Sequence, residues 1–167
     1  PANASEDNLR PLLVWFHGTG ERYAESEIDG KVVNNAGANL VGNRALAFAD
    51  EEFQEQLGGA YVLAPQSTTE GWSSKRLDDM EALIHQVIED NYIDPERVYV
   101  GGLSMGTGMT TPLITSTTDN RIQFAAAMLV SGGNLNEAQA KVIADKGFPV
   151  YLVGSASDGA AGGLPGT

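Results

Sequence analysis

Apolar and polar residues fall along this chain in blocks rather than in strict alternation. Five short apolar runs, at 12–16, 60–65, 98–101, 124–130 and 149–154, stand between longer amphipathic or polar stretches. Each run is too short for a helix and lacks the polar-every-second-residue pattern of a half-exposed strand, which predicts strands buried on both faces. Segments 39–48, 50–57, 77–92, the stretch from Met105 onward, and 135–146 read as helical. The clearest is 77–92, where Met80, Leu83, Ile84, Val87 and Ile88 share one face and Glu81, His85 and Glu89 share another. Asp50 is the expected N-cap of the 50–57 helix, with Glu51 and Glu52 in its first turn. Residues 21–38 show no clear period and read as an extended loop, and Asp94-Pro95 reads as a turn into the third strand.

Strands that alternate with helices predict an α/β domain: a mostly parallel sheet of about five strands with helices on both faces. One domain spans 1–167, with its core at 11–158 and irregular tails at 1–10 and 159–167. Sites in such folds gather beyond the carboxyl ends of the strands. Here those ends carry His17-Gly18-Thr19-Gly20, Gln66 with Gly71-Trp72, Ser104, Ser131-Gly132-Gly133, and Ser155 to Asp158. Polar, small and glycine residues therefore collect on one edge of the sheet.

The sharpest chemical signal on that edge is Gly102-Leu103-Ser104-Met105-Gly106, which directly follows the run Arg97-Val98-Tyr99-Val100-Gly101. Strand, tight turn and helix with a serine at the apex is the arrangement of a nucleophile elbow. Acyl transfer also needs two preorganised N–H donors for a developing oxyanion. Met105, after the serine, is one candidate donor, and the turn at Gly18-Thr19 is the candidate source of the other. His17, Gly18 and Trp72 stand around the candidate pocket. His17 is expected to fix its turn by hydrogen bonding rather than act as a base, and Trp72 either walls an acyl pocket or anchors packing. Asp158 is a candidate triad acid on the loop after the last strand, or else a turn former. A histidine after Asp158 is absent; the remaining one, His85, is expected to be solvated on its helix.

Charge and composition narrow the choice further. Ten basic against 22 acidic residues give a net charge of −12, which disfavours nucleic-acid and membrane-surface partners. There is no cysteine, and two separated histidines offer no metal cluster, so no metal and no cofactor is expected. Residues 101–106 have phosphate-loop spacing, but Thr107-Gly108 stands where Lys-Ser/Thr is required.

The chain resembles the α/β-hydrolases, and within them the esterases grouped with polyhydroxybutyrate depolymerases, feruloyl esterases and predicted prolyl-oligopeptidase-type enzymes. The resemblance rests on His17-Gly18-Thr19-Gly20-Glu21, Leu63-Ala64-Pro65-Gln66, Ile93-Asp94-Pro95-Glu96-Arg97-Val98-Tyr99 and Gly102-Leu103-Ser104-Met105-Gly106. It implies Ser104 as nucleophile, Asp158 as acid, Thr19 and Met105 as oxyanion donors, and a carboxylic ester or acylated carbohydrate as substrate. It also implies secretion, which the residues themselves leave undetermined. Against that pattern the chain reads as the middle of a hydrolase, without opening strands before Pro11 or a histidine segment after Asp158. A sheet ending on its last strand leaves an edge open, so a companion segment or second protomer is expected to complete it. The alternative to an esterase is a non-catalytic module of the same fold that binds or assembles.

Overall fold

The computed structural model describes residues 1–42, 45–118, 121–132 and 135–155. Five strands form one parallel sheet: β1 (Arg10–Phe16), β4 (Tyr61–Leu63), β5 (Ile93–Leu103), β6 (Ala126–Val130) and β7 (Val150–Val153), in the order β4-β1-β5-β6-β7. All four interstrand pairings are parallel, as the continuous apolar runs predict. Between them lie α1 (Ala38–Val41), α2 (Glu51–Gln56), α3 (Leu77–Glu89), α4 (Thr107–Thr115) and α5 (Glu137–Asp145). Neither these nor any other described helix is long and apolar enough to cross a membrane.

Side chains along β1 divide the molecule into two layers. Leu12, Val14 and Phe16 point into a core shared with Ile84 of α3, Met109 and Leu113 of α4, and Val98 and Val100 of β5. Ile143 of α5 packs against the same cluster. The alternate residue Trp15 faces the other side, where its ring meets Phe48 edge-on at 5.1 Å and Phe48 meets Phe53 of α2. Helices thus cover both faces. Coverage fades at the far edge: on β7, Tyr151 is 67% exposed, and Leu152 and Val153 are 37% and 38% exposed.

Several expectations need correction. Residues 21–38 are not an unstructured loop. They contain an antiparallel hairpin of β2 (Glu25–Ile28) and β3 (Lys31–Asn34), turned by Asp29 and Gly30 at φ 53° and 73°. Positive φ at both central residues is the turn whose twist matches paired strands, and Asp-Gly favours it. Segment 39–48 is not one helix: α1 ends at Val41, and 45–49 form a 3-10 turn. Asp50 occupies the N-cap of α2, but its side chain makes no capping bond. The third strand starts earlier than the turn signal suggests. β1 pairs with Ile93 and then with Val98, so residues 94–97 bulge between, closed by Asp94 accepting from Glu96 N and Arg97 Nε.

On α3, Leu83 is 38% exposed while Glu81 is buried and pairs with Arg121, which also reaches Asp78 at 2.9 Å. That ion pair joins α3 to the segment leading into β6. The most regular cap belongs to α5: Asn136 Oδ1 accepts from Gln139 N, and the Gln139 side chain accepts from Asn136 N.

Candidate active site

β5 ends at Leu103, and the backbone turns at Ser104 with φ 51°. A β-substituted residue in the left-handed region carries strain, and such residues cluster at functional turns. The turn is as tight as backbone contact allows. A Cβ on Gly102 would stand 2.5 Å from the Gly106 carbonyl carbon, and one on Gly106 would collide with the carbonyl oxygen of Phe16 at the end of β1. Small residues at both flanking positions are therefore a steric requirement. A single 3-10 turn, Ser104–Gly106, then opens into α4, with Thr107 Oγ1 donating to Ser104 O at 2.6 Å. Ser104 and Met105 are half-buried.

The end of β1 lies against this elbow. His17 is 1% exposed, and both ring nitrogens are engaged. The backbone N–H of Ser67 donates to Nε2 at 2.9 Å, so that nitrogen is unprotonated. Nδ1 then carries the proton and donates to Gly18 O at 2.6 Å. Burial pushes the imidazole pKa below its ordinary 6.5, against the opposing pull of the Gly18 bond and the Glu21 charge. His17 stands beneath its turn and presents no surface to a bound molecule. Gly18 is buried as well, whereas Thr19 is exposed at the start of the 3-10 turn Thr19–Glu21, which touches the elbow.

Trp72 is half-buried over the same place. Its Nε1–H donates to His17 O at 2.9 Å, and its ring meets Phe16 edge-on at 5.0 Å and His17 at 4.9 Å. These contacts pack the indole against the end of β1. Gly71, at φ 81°, runs so close to Met105 that a Cβ there would sit 2.7 Å from the thioether sulfur. After β6, Ser131 also holds a positive φ of 49°, and a Cβ on Gly132 would stand 3.0 Å from Ser104 O. The ends of β1, β5 and β6 and the loop after β4 thus converge on the elbow. Asp158 lies outside the described residues, as does Gly133. His85 is exposed on α3.

Sequence reading placed Gln66 on this edge without a role and did not single out Arg22 or Asn35, which with Gln66 bind the edge together. Gln66 Nε2 donates to Glu21 O at 2.9 Å and to Asn35 O at 3.2 Å. Arg22 donates through Nε to Thr19 O at 3.1 Å and through Nη1 to Thr69 O at 3.2 Å. Asn35 ties the base of the hairpin to Arg22 O and to Ala24 N. These contacts span up to 47 residues of chain and leave no local pattern. Only Asn35, directly after a β run, carried a turn signal.

No protein-family model matches the chain, and no curated protein sequence matches it. Solved structures do. A thermostable esterase is 23% identical with a TM-score of 0.69, over 96% of this chain and 52% of its own. A thermophilic esterase from Thermogutta terrifontis is 12% identical with a TM-score of 0.53, over 93% and 74%. A ferulic acid esterase is 12% identical with a TM-score of 0.51, over 91% and 79%. The chain spans about half the length of the first of these proteins. Its five-stranded parallel sheet flanked by helices is an α/β-hydrolase-type core, the fold it shares with these esterases.

Proposed function

We propose that the chain carries the nucleophile half of a serine esterase site. The observation that carries this reading is Ser104 at φ 51°, on a turn pressed by Gly106 against the end of β1. In this reading Ser104 Oγ attacks the acyl carbon of a carboxylic ester while its proton passes to a general base. The carbonyl oxygen becomes an oxyanion held by the backbone N–H groups of Met105 and Thr19. Collapse of the tetrahedral adduct expels the alcohol, which takes the proton from the base. Water then attacks the acyl-serine by the same route and releases the acid.

Asp158 is proposed as the group that orients the base. The base itself is assigned to neither histidine of this chain, since His17 has both ring nitrogens engaged and His85 stands on the solvent side of α3. We place it on a companion segment or second protomer. The substrate is a small ester or an acylated carbohydrate.

A fluorophosphonate probe tests the reading. Full-length protein is expected to label stoichiometrically at Ser104, and Ser104→Ala to remain unlabelled. Folded full-length protein that does not label would instead favour a non-catalytic module of the same fold.

A further inference from the structure

The segment from Gln66 to Trp72 belongs to neither the elbow nor the His17 turn, yet it grips both. Ser67 donates its N–H to His17 Nε2 and accepts Tyr23 N–H at its carbonyl, each at 2.9 Å. Gln66 holds Glu21 O, Thr69 O receives Arg22, and Trp72 Nε1 holds His17 O. The backbone of residues 17–23 is thereby bonded to this segment on both sides of Thr19. Two residues on, the contact changes partner: Gly71 runs against the Met105 side chain, with the Arg22 stem 3.4 Å from where a Cβ would sit. One short segment therefore brackets both proposed oxyanion donors: it bonds the His17 and Glu21 carbonyls on either side of Thr19, and it packs against the Met105 side chain.

We infer that residues 66–72 are the clamp that sets the distance between those two N–H groups, with Trp72 and Arg22 as positioning residues. The inference rests on the esterase reading of Ser104. Neither residue touches a reacting atom; each acts through a carbonyl of the turn. Trp72 fixes the His17 peptide, from which the chain enters the turn, and Arg22 fixes the Thr19 carbonyl, just beyond the donating N–H. A donor pair preorganised this way stabilises charge only as it develops, so the clamp should act on the chemical step and not on ground-state binding.

The test compares an activated ester with its thionoester in full-length protein. Sulfur is larger and a weaker hydrogen-bond acceptor than oxygen, so the ratio of the two kcat values reports how well the donor pair fits an oxyanion. In Trp72→Phe, which keeps a ring but loses the N–H, kcat for the ester is expected to fall roughly tenfold with KM changed less than about twofold. The ester-to-thionoester ratio should fall with it. Arg22→Met is expected to do the same, and it decides the matter if Trp72→Phe does not fold. Equal losses on both substrates, or none, would overturn the clamp and leave the reading of Ser104 intact. If wild-type protein cleaves neither substrate faster than Ser104→Ala, the reading of Ser104 falls and the clamp falls with it.

Discussion

Ser104 occupies a backbone conformation that glycine would adopt freely. Left-handed φ costs a β-substituted residue about 1 kcal/mol or more. Ser104→Ala keeps that strain, whereas Ser104→Gly relieves it. In thermal unfolding, Ser104→Gly is expected to melt about 3 °C above Ser104→Ala, the shift that about 1 kcal/mol gives in a domain of this size. Equal midpoints would mean the turn is unstrained. The serine was legible because its whole signal is local: a β-branched run, two small flanking residues and the hydroxyl between them. His17 was legible in part, since a histidine before a glycine turn suggests a turn-fixing bond. Its partner Ser67, 50 residues away, does not follow from any local pattern.

At the level of elements, the parallel strands were readable because burial on both faces removes polar residues from the run. The hairpin was not, because its residues are all exposed and β2 reads as polar. Its one strong marker was Asp29-Gly30. That exposure has a dynamic consequence. A lone two-stranded ribbon is marginally stable in water, and here Ile28 and Val32 stay 58% and 72% exposed. Among the described residues, its base is tied through Asn35, and Glu25 accepts from the Tyr23 hydroxyl. Amides of residues 25–34 are expected to exchange with deuterium roughly 100-fold faster than those of β1 and central β5, which open with the core. Equal protection would mean that something covers the hairpin. The bulge at 94–97 was half-legible: Asp94-Pro95 announced a break, but not that pairing with β1 resumes on both sides of it.

For the whole molecule, parallel pairing and layering follow from the alternation of strands and helices, while the strand order and the identity of the bonds across the candidate-site edge depend on tertiary placement. One of those bonds couples global stability to pH. His17 is held neutral, because protonating Nε2 would aim a proton at the Ser67 N–H. Its folded pKa lies below the ordinary 6.5, so on acidification the unfolded chain takes up the proton first. The stability this group contributes is complete above about pH 6.5 and declines as pH falls below it, until the folded pKa is reached. Melting temperature is expected to drop between pH 7 and pH 5, and His17→Gln to flatten that slope. An unchanged slope in the variant would assign the effect to other groups.

The exposed strand β7 bears on how any of these measurements is made. Its outer backbone groups face no neighbouring strand among the described residues, and Tyr151, Leu152 and Val153 are all more than a third exposed. A separate chain settling on that strand, such as the proposed companion segment or second copy, would bind the folded state and not the unfolded one. Mass action would then make the melting temperature rise with the concentration of that occupant. Variants of this chain would in that case be comparable only at matched protein concentration, and a titration of midpoint against concentration tests the proposal: a midpoint that rises with concentration supports an occupied edge, and a constant one counts against it.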